Sequence, residues 1–292
     1  MSRNPYWSWG LLSSSSKLTY YSTKSFLYRY SWDTDDLLSY PWDRHYVQGP
    51  EVLAYLQHVV KRHNLRPYFQ FKTELTKAQW DEPERRWIVE TSTGQIFKPR
   101  YLVTALGLLS KQNFPDIPGI STFKGELHHT ARWPKSLDLT GKRVGVIGNG
   151  STGVQVITAI AKDVKQLVCF QRTPQYSVPS GDREVEPGYR QDINQRYDDI
   201  WKQAKGSKFA FGFEESTRPT FSVGEEEREK IFEDAWQRGN GFRFMFWTFC
   251  DISYDEAANK AAADFIRRKI KETVRDPEKA RKLTPTDYYA RR

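Results

Sequence analysis

One hexapeptide limits this chain more than any other feature. Gly148-Asn149-Gly150-Ser151-Thr152-Gly153 reads GxGxxG and falls between an apolar run, Lys142–Ile147, and a helix-spaced segment, Ser151–Lys162. A second apolar run, Gln166–Phe170, follows. Strand, glycine turn, helix and strand make one βαβ unit, so an α/β fold with parallel strands is expected. The first glycine permits the tight turn, the second lets backbone approach a pyrophosphate, and the third lets helix and strand pack closely. Unpaired N–H groups and the positive end of the helix then face the phosphates. A dinucleotide site of NAD type usually carries an acid at the end of the second strand to accept from the ribose 2′-OH. This chain has Gln171-Arg172-Thr173 there. A guanidinium and a hydroxyl suit a 2′-phosphate, which a carboxylate would repel, so the expected ligand is NADP(H). The competing reading of Arg172 is a solvated surface charge.

Around this unit the pattern is mixed. Pro50 suits a first helical position, and Val52, Leu53, Leu56, Val59 and Val60 recur at helical spacing behind it. Short strands are expected at Tyr68–Thr73, Arg86–Thr91, Gln95–Phe97 and Tyr101–Ala105, with a tight turn at Ser92-Thr93-Gly94. The segment 113–119, rich in Pro and Gly, reads as a linker. Beyond Pro179, charged helices are expected near 189–205, 225–238 and 254–275, and the aromatic run Phe242–Phe249 reads as core rather than pocket lining.

Composition narrows the function classes. The 43 aromatic residues exclude a disordered chain, and no apolar stretch is long enough to form a membrane-spanning helix. Two cysteines, Cys169 and Cys250, cannot form a disulfide framework or a cysteine zinc site, and no histidine spacing suggests a metal. A reducing, cytoplasmic setting is expected. The net charge is +9, but residues 1–32 hold Arg3, Lys17, Lys24 and Arg29 and no acid, so the remainder is nearly balanced. Nucleic acid is therefore not expected as a partner. The Ser-rich opening, residues 1–25, reads as a leader outside any domain, with a transit peptide as the alternative.

A second motif carries a resemblance. Phe123-x-Gly125-x-x-x-His129-x-x-x-Trp133-Pro134 resembles the FxGxxxHxxxW(P/D) fingerprint of Baeyer–Villiger monooxygenases, and it lies just before the glycine motif as in that family. Similarity extends over about 27–292, through Tyr40-Pro41-Trp42, Gln171-Arg172-Thr173-Pro174 and Asp287-Tyr288-Tyr289-Ala290-Arg291-Arg292, and looks closest to cyclohexanone- and cyclopentanone-type members. The resemblance implies a Rossmann-like NADP-binding domain with a helical insertion, and FAD and NADPH as cofactors. It also implies insertion of one oxygen of O₂ beside a ketone carbonyl, giving an ester or lactone. Arg292 falls where the family has an arginine that stabilises developing negative charge, and Arg291 where it has a lysine reaching the 2′-phosphate. His129 and Trp133 match positions that link domain movement to cofactor handling. N- or S-oxygenation by a related flavoprotein, or nucleotide binding without turnover, are the alternatives.

The same resemblance divides the chain into 26–134 (part of an FAD-binding domain), 135–180 (NADP-binding), 181–284 (helical insertion) and 285–292 (return to the NADP domain). The family's first GxGxxG and its Gly-Gly-Thr-Trp stretch have no counterpart before residue 141, and no acid lies at Tyr20–Thr23. The chain reads as an incomplete member whose FAD domain lacks its pyrophosphate turn. The purified 292-residue chain is accordingly expected to carry far less than equimolar flavin. Its visible absorption spectrum checks this, and a near-equimolar flavin band contradicts it.

Overall fold

The computed structural model describes residues 23–107, 111–134 and 136–289. In chain order its elements are α1 (Thr34–Ser39), α2 (Gly49–Arg62), β1 (Leu75–Asp81), β2 (Arg86–Thr91), β3 (Ile96–Phe97), β4 (Arg143–Ile147), α3 (Ser151–Ile160) and β5 (Gln166–Phe170). There follow α4 (Tyr189–Gln195), α5 (Tyr197–Gly206), α6 (Glu225–Arg238), α7 (Gly241–Phe246), α8 (Glu256–Thr273) and α9 (Pro277–Leu283). Two compact units result. One covers Gly49–Leu137; the other joins residues 23–48 to 138–289.

In the first unit, α2 buries Tyr55 and Val59 on its apolar face. The β1–β2 hairpin is antiparallel, with Trp80 opposite Trp87 and their rings edge-on at 5.6 Å. β3 pairs with β2 through Val89 and Phe97, and Gly94, at φ +79°, closes the turn between them. Two expectations for this region need correction, and one strand has no counterpart among them. Tyr68–Thr73 is not a strand: Pro67 starts a 3₁₀ turn over Arg66–Tyr68, and Lys72 takes a positive φ that interrupts extension. β1 was not anticipated, because nearly all its residues are exposed and no buried face imposes alternation. Tyr101–Ala105 runs outside any ladder, with Tyr101 and Val103 both more than four-fifths exposed. An apolar run becomes a strand only where a neighbour takes its N–H and C=O groups, and among the described residues none does.

The second unit contains the βαβ element and two cores. β4 and β5 are parallel, in register from Arg143↔Gln166 to Ile147↔Phe170. α3 covers one face with Val156 and Ile160, while Ile147, Val168 and Phe170 on the other face stay exposed. The larger core joins α6, α7 and α8 through Phe232, Phe244, Phe249 and Phe265, whose rings meet at 5.3–5.6 Å. Of the five aromatics in the 242–249 run, Phe244 and Phe249 are therefore core and Trp247 packs against it; Phe242 and Phe246 instead stack with Phe211. The smaller core brings Phe26, Leu37 and Trp42 against Ile193 and Tyr197. Residues 26–48, grouped by sequence with the stretch to 134, thus pack with the helical part. The predicted helix over 189–205 is broken at Arg196, which leaves helical geometry between α4 and α5.

Asp251 holds the larger core's edge. Its carboxylate accepts from the Thr220 backbone N–H at 2.9 Å and from the Thr220 hydroxyl at 2.6 Å, and both residues are buried. Asp251→Ala leaves these two buried donors without their acceptor. An unmatched buried polar group costs about 1–3 kcal/mol, so the variant is expected to unfold at lower urea by at least that amount, whereas Thr273→Ala on an exposed helix end changes stability by less than ~0.5 kcal/mol. Equal urea midpoints for the two variants contradict this account.

Candidate nucleotide-binding site

The glycine turn is built as a cradle. Gly148 sits at φ +97°, where a side chain is strained, and its N–H donates to Phe170 O at 2.9 Å, extending the β4–β5 ladder by one bond. A Cβ on Gly153 would lie 2.2 Å from Gly148 O, so only glycine lets α3 approach the strand end this closely. A Cβ on Gly150 would meet nothing within 4 Å. Its φ of −67° is open to any residue, so no contact within the fold requires glycine there. The space above Gly150 is what a bound pyrophosphate needs.

The donors facing that space are free. Gly150 caps α3 with no side-chain hydrogen bond, and the first helical bond is Val154 N–H to Gly150 O at 2.9 Å. The N–H groups of Ser151, Thr152 and Gly153 thus lie outside the helical ladder, and no acid occupies the first turn. These residues fit a dinucleotide pyrophosphate.

The end of β5 divides its labour in a way that the sequence did not disclose. Asn149 Nδ2 donates to Gln171 Oε1 at 3.1 Å and to Thr173 O at 2.9 Å, and Gln171 Nε2 donates to Lys282 O at the end of α9. Asn149, Gln171 and the Thr173 carbonyl therefore brace the turn against β5 and α9. Arg172 is exposed and makes no hydrogen bond or ion pair with the other described residues. Of the three residues 171–173, it is the one left with its full charge to offer.

The fingerprint residues lie in the first unit and the glycine turn in the second. The Phe123 ring folds over Gly125, where a Cβ would stand 2.7 Å from it. His129 caps the short turn Thr130–Arg132: its Nδ1 accepts from Ala131 N–H at 3.1 Å, and its ring meets Phe114 edge-on at 5.1 Å. That bond leaves the proton on Nε2 and gives His129 a structural task. Trp133 continues in extended backbone, and Pro134 follows outside any helix or strand. Arg291 and Arg292, like residues 1–22, lie outside the described residues. Among the described residues one glycine-rich strand–helix turn occurs, that of Gly148–Gly153. Nor is any described helix long and apolar enough to cross a membrane.

Comparison with known proteins agrees with this geometry. The flavin-binding monooxygenase-like family model matches residues 28–215, more than half of the chain. The chain is 50% identical over 270 residues to cyclohexanone 1,2-monooxygenase of Acinetobacter sp, and 52% identical over 270 residues to phenazine N-monooxygenase PhzNO1 of Lysobacter antibioticus. Each alignment covers 92% of this chain and 50% of the relative. The crystal structure of cyclohexanone monooxygenase from Rhodococcus sp. Phi1 bound to NADP+ superposes with a TM-score of 0.92 at 54% identity, over 97% of this chain and 54% of that one. The chain thus spans about half the length of the curated relatives it matches. A βαβ cradle with a free guanidinium, a fingerprint upstream of it and these similarities lead to one conclusion: the chain belongs to the flavin-binding monooxygenase-like family.

Proposed function

We propose that this chain serves an FAD- and NADPH-dependent monooxygenase of Baeyer–Villiger type, acting on a ketone with O₂ in a reducing, cytoplasmic setting. The part of that chemistry its own residues carry is recognition of NADPH. The observation behind this reading is the pairing of an open glycine cradle with Arg172, a guanidinium that no acid among the described residues neutralises. Bound NADPH supplies a hydride. The chain's N–H groups at 151–153 hold the pyrophosphate, Asn149 keeps the turn in register with β5, and Arg172, with the Thr173 hydroxyl, selects the 2′-phosphate. Arg291 is proposed to add a second charge at that phosphate and Arg292 to stabilise negative charge during oxygen transfer. In the fingerprint, Phe123, Gly125, His129, Trp133 and Pro134 are proposed to transmit domain movement rather than make or break bonds. His129, already committed to Ala131, supports that division.

A second substrate class has a specific ground. Identity to the phenazine N-monooxygenase equals that to the cyclohexanone enzyme within two percentage points, so nitrogen oxygenation competes with ketone oxidation. The Trp133-Pro134 ending of the fingerprint favours the ketone. NADPH consumption and product analysis with cyclohexanone and with phenazine, after flavin loading, distinguish the two.

Titration calorimetry of the 292-residue chain tests the nucleotide reading. NADP+ is expected to bind more tightly than NAD+. Arg172→Ala should weaken NADP+ by about 1.5–3 kcal/mol, roughly 10- to 150-fold in Kd, and leave NAD+ nearly unchanged. Equal losses for both nucleotides count against Arg172 as the reader of the 2′-phosphate. The glycines separate packing from binding. Gly150→Ala is expected to melt within ~0.5 kcal/mol of the parent while losing affinity for both nucleotides. Gly153→Ala, which drives a methyl into Gly148 O, should lose about 1–3 kcal/mol of stability. A Gly150→Ala protein that still binds at parental affinity contradicts the cradle.

A further inference from the structure

A chain of three side chains lies in the second unit, apart from the glycine turn. Glu186 Oε2 stands 3.1 Å from His45 Nε2, and His45 Nδ1 stands 3.2 Å from Lys24 Nζ. His45 is almost fully buried, and its ring is braced edge-on by Tyr189 at 4.7 Å. The backbone fixes its position as well: His45 N–H donates to Arg183 O, and Ser25 N–H donates to His45 O, both at 3.0 Å. Lys24 is partly buried, with Nζ 4.6 Å above the Tyr46 ring, and Tyr46 is pinned by Asn240 through its hydroxyl. With Nε2–H donated to Glu186, Nδ1 keeps its lone pair for the lysine. A carboxylate thus orients an imidazole that abuts a nucleophilic atom, the arrangement that activates nucleophiles in general.

We propose that Lys24 is a reactive amine, with His45 as its general base and Glu186 orienting that base, and that the site takes small aldehydes or ketones bearing an anionic group. The anionic group follows from Arg243, a half-buried guanidinium stacked over Phe213 and Trp247 that makes no ion pair with the described residues. Burial and the like charges of Arg243 and Arg183 bring Lys24 down to about 8, against the opposing pull of Glu186 and Asp182. Burial, Lys24 and Arg183 also lower His45, which keeps its ring neutral and able to accept a proton. At pH 8 the neutral fraction of such an amine exceeds that of an ordinary lysine on the order of a hundredfold.

In the step itself, the Nζ lone pair forms a bond to the carbonyl carbon and the carbonyl π pair moves to oxygen. The oxygen takes a proton from solvent, and His45 Nδ1 takes the proton that nitrogen releases. Returning that proton to the hydroxyl expels water and leaves a protonated imine, whose nitrogen keeps its remaining proton while the proton drawn from solvent leaves in the water. No oxidant or reductant is consumed. Neither family motif includes these residues, which lie 21 and 141 positions apart in sequence, so only the fold brings them together.

Pyridoxal 5′-phosphate, an anionic aldehyde, is the probe. The full chain is treated from pH 6.5 to 10, reduced with borohydride and mapped by peptide mass spectrometry, with the exposed Lys77 and Lys279 as internal references. Lys24 is expected to label first, with a midpoint near 8. Arg243→Gln should move that midpoint upward, and Arg243→Lys, which keeps the charge, should restore it. His45→Gln should slow Lys24 labelling by about a hundredfold while leaving its midpoint in place. Labelling of Lys24 in the unsubstituted protein at the rate and midpoint of Lys77 and Lys279 overturns the proposal, whatever the variants do.

Discussion

The candidate site depends on a single close approach, that of the first turn of α3 to the end of β4. Gly153 lies against the Gly148 carbonyl at a distance that admits no side chain. This contact aims three unpaired N–H groups past Gly150 into open space. It also aligns the helix dipole with that space, so partial positive charge collects where an anion would sit. The Gly148 N–H bond to Phe170 O ties the same turn to β5. Arg172 follows two residues later and is therefore carried to the cradle's side by the parallel register rather than by any contact of its own.

Two kinds of polar residue hold the second unit, and they do different work. Asp251 and Asn259 are buried and matched: Asp251 accepts from Thr220, and Asn259 joins Ile252 O to Tyr289. Such groups specify one packing of α7, α8 and the returning segment, because every alternative leaves donors unpaired. Arg172 and Arg243 are the opposite case. Their charges are not neutralised by ion pairs within the described fold, and cations of that kind are ready to meet a phosphate or carboxylate. The division between satisfied and unsatisfied polar groups separates scaffold from site.

The sheet has a further physical peculiarity. β4 and β5 are parallel, and parallel strands are ordinarily covered on both faces. Here α3 covers one, while Ile147, Val168 and Phe170 on the other remain open to solvent. Tyr101–Ala105 shows the same economy in another form: an apolar run without a ladder partner among the described residues. Both features accompany a chain that spans half the length of its relatives.

Much of this molecule was readable from sequence where period and punctuation agree. β2, β5 and α6 lie where the pattern put them, because alternating or helical spacing runs uninterrupted between turn residues. The glycine motif was legible because its backbone geometry admits few alternatives. Reading failed at Tyr68–Thr73, where Pro67 and the positive φ of Lys72 break an extended run, at β1, where exposure removes the hydrophobic signal, and at Arg196, where one residue breaks a helix that the charge pattern would continue. By itself the sequence determined the βαβ unit, the fingerprint and the family. Tertiary structure alone decided that Gln171 braces the turn while Arg172 stays free, and that Lys24, His45 and Glu186 form one chain. Local patterns are written in neighbouring residues, whereas these groups meet only after distant segments pack.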